Sequence, residues 1–261
     1  MTTGRLPAGL GAPALAAVAL VVLPVAALVV RTPWADLGTI LVAPDVRQAV
    51  ALSAVCSFAA LGMSLLLGVP LAFVLARVSF PGRRLVRALV TLPMVLPPVV
   101  GGVALLLAFG RSGLVGRYLA GLPGFPAPFT TGAVILAETF VAMPFLVVSV
   151  EAGLRQLDLR YEEAAATLGA GPWRRFWTIT LPLVAPSLAA GAALCWARAL
   201  GEFGATITFA GNLPGRTQTL PTAIYVLLES QPDHALAVSL FMLGISLVVL
   251  VSLRDRWLGA R

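Results

Sequence analysis

The chain has 261 residues, of which 59% are hydrophobic and 11% charged, and its mean hydropathy is +0.96. Because a soluble domain carries about 25% charged residues, this composition excludes a soluble protein and predicts an integral membrane protein. The net charge of +7 comes from arginine alone, and the absence of lysine excludes an ATP-binding loop of the GxxxxGK[ST] type, whose lysine reaches the phosphates.

Six segments are apolar enough to cross a bilayer, which takes about 20 residues in a helix. We treat the first segment as a retained span, because its apolar stretch is longer than that of a signal peptide. The sequence therefore predicts an all-α integral membrane protein with six transmembrane helices. The predicted spans are 12–30, 49–76, 86–109, 131–150, 183–209 and 235–253.

The arginines are distributed unevenly between the loops. If the N-terminus is cytoplasmic, the loops and termini on that side hold twelve arginines and the opposite loops hold five. Positive residues concentrate on the cytoplasmic side of membrane proteins. The count therefore predicts that both termini and the segment 151–182 are cytoplasmic. The twelve are Arg5, Arg77, Arg83, Arg84, Arg87, Arg155, Arg160, Arg174, Arg175, Arg254, Arg256 and Arg261.

The third predicted span is rich in residues that interrupt a helix. Proline removes a backbone donor and kinks or breaks a helix. Interrupted backbone at membrane depth is tolerated only where protein or a water-filled cavity satisfies it. We therefore expect this span to lie in the bundle core or to line a pore, and the sequence leaves both interpretations open. The residues concerned are Pro93, Pro97, Pro98, Gly101 and Gly102.

The segment 151–182 is more polar than the spans on either side of it, and its sequence predicts a helix, a turn and a second helix. Residues 157–168 favour a helix, with three alanines at its centre. Gly169 allows the chain to reverse direction, and Pro172 suits the first turn of the second helix.

Two interpretations of this helix–turn–helix segment are open from the residues alone. Its first helix carries an apolar face at helical spacing, which favours docking into a groove of a partner. Alternatively, the segment lies on the lipid headgroups, with its tryptophans at the membrane interface. The apolar face consists of Tyr161, Ala164, Ala165 and Leu168, and the second helix carries Trp173, Phe176 and Trp177.

The fifth predicted span contains two charged residues, Arg198 and Glu202, four positions apart. Ionisable groups at membrane depth are rare and seldom face lipid, and this spacing lets the two pair along a helix. One interpretation is a buried ion pair that fixes helix packing. The other is that Arg198 lends positive potential to an anion pathway. Gly201 and Gly204 could allow close helix approach or flexing.

The segment 151–182 resembles the signature of the permease subunits of binding-protein-dependent ABC importers, EAA–x3–G–x9–I–x–LP. All the spacings of that signature are present. In that family the segment is a cytoplasmic coupling loop, here between spans four and five, and its helix docks on a separate ATP-binding subunit. The resemblance implies that this coupling role falls to Glu163, Ala164, Ala165, Gly169, Ile179, Leu181 and Pro182.

The stretches "GEFGATITFAGN" and "TQTLPTAIY" resemble the permeases of molybdate ABC importers and, less closely, sulfate/thiosulfate permeases. The resemblance implies one transmembrane permease domain over residues 1–261 that imports an oxyanion, with molybdate or tungstate first and sulfate as the alternative. We expect the candidates for the translocation pathway and its gating to be Arg198, Glu202, Gly201, Gly204, Pro97 and Pro98.

The same resemblance implies the partners of the chain. They are two copies of an ATP-binding subunit that hold ATP and Mg, an extracytoplasmic substrate-binding protein, a second copy of the permease in a homodimer, and the bilayer of the bacterial inner membrane. No nucleic acid, metal site, bound cofactor or catalytic residue is expected, and the chain itself is not an enzyme. Two other classes are considered: an ion-coupled secondary transporter, which would show inverted repeats, and an intramembrane enzyme, which would need a paired nucleophile and base.

Overall fold

A computed structural model of the chain describes residues 9–119, 121–122 and 124–258, and for residues 252–258 it describes the backbone alone. Four of the twelve arginines counted above, Arg5, Arg254, Arg256 and Arg261, therefore lie outside the described side chains. Every regular element of the described residues is helical. The helices are α1 Gly11–Arg31, α2 Leu37–Leu41, α3 Pro44–Arg77, α4 Arg83–Val95, α5 Pro98–Phe109, α6 Gly116–Leu119, α7 Thr131–Gln156, α8 Arg160–Thr167, α9 Pro172–Arg175, α10 Leu181–Leu200, α11 Gly204–Phe209, α12 Leu220–Ser230 and α13 Pro232–Leu258.

Five helices of the described chain are long and apolar enough to cross a membrane. They coincide with five of the six predicted spans, and most extend beyond the predicted ends. Hydropathy locates the part of a helix that suits lipid, whereas the helices themselves continue into more polar sequence. The five are Gly11–Arg31, Pro44–Arg77, Thr131–Gln156, Pro172–Leu200 and Pro232–Val251.

The third predicted span, 86–109, is not one continuous helix. It is divided into α4 and α5 by an extended connection at Leu96 and Pro97, whose ψ angles are 133° and 130°. A residue that precedes proline is pushed away from helical backbone angles, and here two such residues follow each other because Pro97 and Pro98 are consecutive. The predicted interruption is thus confirmed, and the span consists of two helices.

The fifth predicted span, 183–209, also differs from the structure at both ends. The helix begins at Pro172, within the predicted loop 151–182, and runs to Leu200 through a π-helical turn, Phe176–Thr180. A short break at residues 201–203 then separates α10 from α11. The second helix predicted in the loop is therefore the first part of a long helix, and the span is interrupted near its far end.

Helix α7 lies at the centre of the bundle, between α3 and α10. Its residues Leu146, Val147 and Val150 are buried in a cluster shared with both neighbours. The Ser149 hydroxyl donates a hydrogen bond of 2.9 Å to the carbonyl of Ser187 in α10. Small residues of this kind allow close helix approach in membranes, where packing and hydrogen bonds replace the hydrophobic effect.

A group of charged residues joins the helices at the end of the bundle where α7 finishes. Glu151 of α7 accepts hydrogen bonds from Arg87 of α4, with a shortest distance of 2.7 Å, and forms an ion pair of 2.7 Å with Arg155. Arg87 also donates to the carbonyl of Leu75 in α3. Three helices, α3, α4 and α7, are thereby connected at this end.

Candidate functional site

The two interrupted helices meet in the bundle, and this contact brings together two of the six predicted pathway residues. Helix α11 packs against α5, and Gly204, the first residue of α11, lies against Pro98, the first residue of α5. A Cβ atom on Gly204 would lie 2.7 Å from the Cβ atom of Pro98. Gly204 therefore permits a close approach that any larger residue would prevent.

Gly201 and Pro97 have different places in the same region. Gly201 is exposed at the C-terminal end of α10, and an added Cβ would meet only the carbonyl oxygen of Ala197, at an ordinary 3.5 Å. The close helix approach considered for both glycines is thus found at Gly204 and not at Gly201. Pro97 forms the break before α5, and its carbonyl accepts a hydrogen bond from Gly101 at 3.1 Å.

The predicted Arg198–Glu202 pair is present across the end of α10. Arg198 Nη1 lies 2.6 Å from Glu202 Oε2, and the Glu202 side chain is 1% exposed. The second carboxylate oxygen, Oε1, accepts a hydrogen bond of 2.7 Å from the backbone N–H of Ala205. Because the first N–H groups of a helix have no partner within it, Glu202 caps α11 while it pairs with the last turn of α10.

A second buried carboxylate lies close to this pair. Glu138 of α7 is 1% exposed, and its neighbours Ala137 and Val141 pack in one cluster with Ala205 and Phe209 of α11. Among the described residues, neither Glu138 Oε2 nor the hydroxyl of Thr206 in α11 has a hydrogen-bond partner. The sequence places Glu138 in the fourth span, but only the tertiary structure places it beside the break in the fifth.

The coupling signature begins in a short helix, α8, that starts at Arg160 and not at residue 157 as predicted. The helix ends before Gly169, whose φ of +81° is favourable for glycine and strained for other residues. Pro172 then occupies the first turn of α9. The turn between the two helices thus has the geometry that the glycine and proline positions predict.

The apolar residues of α8 do not all face the same surroundings. Ala165 is buried, whereas Tyr161, Ala164 and Leu168 are exposed, and Leu168 reaches 88% exposure. Glu163 is exposed as well. One side of α8 therefore contacts the bundle. The other side, with Leu168 directly after the helix, presents two large apolar side chains and a carboxylate.

Glu162 anchors the inner side of α8, although it lies outside the signature. Its Oε1 atom accepts a hydrogen bond of 3.1 Å from Arg77 Nη2, at the end of α3, and one of 2.9 Å from the hydroxyl of Thr180. The sequence gives no signal for these contacts, because Arg77 is 85 positions away from Glu162.

The end of the signature, Ile179, Leu181 and Pro182, lies at the π-helical turn. The N–H of Leu181 donates to the carbonyl of Phe176, five residues back. Pro182 has no N–H for the regular bond to the carbonyl of residue 178. A wide turn directly before the proline accommodates this missing bond, so that the signature residues mark a local change of helix register.

The aromatic residues beside this turn line an apolar groove. Trp173, Phe176 and Trp177 are in mutual ring contact, with centroids 5.4–6.2 Å apart. Phe176 also touches Phe73 of α3 edge-on. The groove lies between α3 and the start of the long helix Pro172–Leu200, and its volume is about 930 Å³. The exposed tryptophans are of the kind that lie at a membrane interface.

Comparison with known protein families gives a match over most of the chain. The family described as "Binding-protein-dependent transport system inner membrane component" matches residues 64–260. The molybdenum transport system permease protein ModB of Mycobacterium tuberculosis is 45% identical over 251 residues, which cover 96% of this chain and 95% of that protein. ModB of Escherichia coli is 42% identical over 81% of this chain and 93% of its own length. The sulfate transport system permease protein CysT of Escherichia coli is 36% identical over 90% and 86%.

Solved structures of low sequence identity share the fold. A bacterial ABC transporter involved in import of the acidic polysaccharide alginate matches with a TM-score of 0.67 and 22% identity, over 90% of this chain and 87% of the other. The methionine ABC transporter MetNI, in an inward-facing conformation, matches with a TM-score of 0.62 and 19% identity, over 82% and 95%. At these identities the likeness concerns the fold alone.

The close contact at Gly204 predicts a difference between two neighbouring glycines. Gly204→Ala should destabilise the protein by about 1–3 kcal/mol, because the added methyl overpacks the contact with Pro98. Gly201→Ala is the matched control and should leave stability unchanged. Thermal unfolding of the two purified variants in detergent, beside the unchanged protein, measures the effect. Equal unfolding temperatures for both variants would contradict the packing described here.

The buried ion pair predicts that one substitution is compensated by a second. Arg198→Gln should destabilise the protein by about 3–5 kcal/mol, because the buried charge of Glu202 loses its counter-charge. The double variant with Glu202→Gln should recover most of this loss, since the amide oxygen can still accept from Ala205. The yield of monodisperse protein in detergent tests this. A double variant no better than Arg198→Gln would argue against the pairing.

Proposed function

The chain belongs to the family of binding-protein-dependent transport system inner membrane components, and we propose on this premise that it is the permease subunit of an ATP-driven importer of molybdate. The observation that carries the proposal is the similarity to proteins named as molybdenum permeases, which extends over nearly the whole of both chains. The chain is a multi-pass inner membrane protein, as its five long apolar helices also indicate. Tungstate, which has the same charge and shape as molybdate, is a further candidate substrate.

In this proposal the permease has six crossings and cytoplasmic termini. Besides the five long helices, α4 and α5 together make one more crossing, which is the third in chain order. These two helices follow each other across the proline break. Interrupted helices are common around the substrate path of transporters, and the contact between α5 and α11 supports a path beside the two breaks. Arg198 and Glu202 hold the second break in place, and Gly204 and Pro98 determine how closely the two interrupted helices approach.

The coupling role belongs to the segment 151–182 in this proposal. The exposed side of α8, with Tyr161, Glu163 and Ala164, suits a groove on an ATP-binding subunit together with Leu168, the residue that follows the helix. Large apolar side chains exposed at a helix favour docking. Gly169 sets the turn that follows, and Ile179, Leu181 and Pro182 set the register of the helix that enters the membrane. Closure of two ATP-binding subunits around ATP and Mg would then displace α8.

The remaining partners are proposed from the family. A second copy of the chain completes the path as a homodimer, because symmetric oligomers mostly close as twofolds. A substrate-binding protein delivers the oxyanion from the extracytoplasmic side. The sulfate relative, with 36% identity, makes a sulfate importer the second candidate.

Uptake measurements distinguish these functions. A bacterial strain without its own molybdate permease, supplied with this chain, its ATP-binding subunit and its substrate-binding protein, should accumulate labelled molybdate. Tungstate should compete at similar concentration, and sulfate only in large excess. Uptake of sulfate without molybdate would favour the second candidate. Uptake that persists after ATP depletion and follows an ion gradient would contradict the ABC mechanism and favour a secondary transporter.

The docking of α8 predicts the effect of one surface substitution. Leu168→Glu should weaken binding of the ATP-binding subunit about tenfold or more, because burial of a leucine contributes about 1.5–3 kcal/mol. The fold should be unaffected, since Leu168 is 88% exposed. The measurement is the amount of ATP-binding subunit that co-purifies with the permease. Leu213→Glu, an exposed leucine in the loop beside the start of α7, is the control. Equal co-purification of both variants would refute the docking of α8.

A further inference from the structure

Glu162 connects three separate elements through one carboxylate oxygen. Arg77 is the last residue of α3, Thr180 is the last residue of the π-helical turn, and both bind Glu162 Oε1. The side chains of Arg77 and Glu162 are 16% and 20% exposed, and Thr180 is buried. A charge-assisted hydrogen bond between partly buried groups contributes more than a neutral one and more than an exposed surface pair.

Little else attaches α8 to the rest of the chain. Among its residues only Ala165 is buried, and at either end it continues into non-helical connections, at residues 157–159 and 168–171. A displacement of α8 therefore has two lateral routes into the bundle, which are the packing of Ala165 and the polar contacts of Glu162. Of these two routes, the contacts of Glu162 reach both α3 and the long helix Pro172–Leu200.

The helices themselves favour the charges of this pair. Glu162 lies in the first turn of α8, and Arg77 lies in the last turn of α3. A helix stabilises negative charge at its N-terminus and positive charge at its C-terminus. The ion pair thus joins two helix ends that each stabilise the charge they carry, which favours a connection that stays formed when α8 moves.

We propose that Glu162 is a positioning residue that makes α8 move as one body with the ends of α3 and α10. The ATP-binding subunit would push on the exposed side of α8, and Glu162 would pass the displacement to two membrane helices. Two adjacent glutamates then have separate tasks, since Glu163 faces outward and Glu162 faces the bundle. This inference rests on the proposed function, in which α8 docks on the ATP-binding subunit.

The experiment measures how much molybdate is transported for each ATP hydrolysed. The complete complex of permease, ATP-binding subunit and substrate-binding protein is reconstituted in lipid vesicles. Arg77→Ala should lower this ratio about tenfold, the effect of losing one charge-assisted hydrogen bond. Glu162→Ala, which also loses the bond from Thr180, should lower it at least as much, while the ATP-binding subunit still co-purifies. The double variant should be no worse than Glu162→Ala alone, because Glu162→Ala already removes the contact with Arg77. Glu229→Ala, an exposed glutamate of α12, is the control.

The outcomes separate this inference from the proposed function. An unchanged ratio for Glu162→Ala, or additive losses in the double variant, would overturn the role of Glu162. Loss of co-purification would also overturn it, because Glu162 would then be a docking contact. If the unchanged complex transports no oxyanion, the proposed function fails instead. Should Glu162→Ala not assemble, Glu162→Gln keeps the acceptor oxygen and the volume, and a ratio equal to that of the unchanged protein would contradict the need for its charge.

Discussion

The arrangement of the bundle depends on how two interrupted helices satisfy their backbone groups. In lipid, an N–H or carbonyl without a partner is costly, and interrupted backbone survives only where protein supplies the partner. At the first break the consecutive prolines have no N–H to satisfy. At the second, the N–H of Glu202 bonds back to the carbonyl of Ala199, and its carboxylate accepts from Ala205. Both breaks are thereby tolerated side by side, and the packing of α5 on α11 follows from them.

Two groups of charged residues in the described bundle share α7. One contains Arg198, Glu202 and Glu138 beside the breaks, and the other contains Arg87 and Glu151 near the end of α7. Between them, α7 packs closely on α3 and α10. Closely packed helices shift as units more readily than they deform. A displacement at one group therefore has a direct structural route to the other.

Local signals in the sequence predict much of this structure. Hydropathy places five long helices, consecutive prolines place the first break, and the spacing of Arg198 and Glu202 predicts their ion pair. What depends on distant residues is not predictable in this way. The contact of Arg77 with Glu162 and the position of Glu138 beside Glu202 arise only when separate helices pack. Hydropathy also does not predict that the helix of the fifth predicted span begins at Pro172. The hydropathy scale reports affinity for lipid and not the ends of helices.

The π-helical turn at Phe176–Thr180 gives the helix Pro172–Leu200 one place that tolerates a change in chain length. Each residue of an α-helix advances the side-chain direction by about 100°, and a π turn holds one residue more than a regular turn. Removing a single amino acid there would restore regular winding, and the α-helical segments on either side would keep about the same register. This stretch should therefore accept the loss of one residue more readily than the regular turns of α10, where a deletion rotates every later side chain by about 100°.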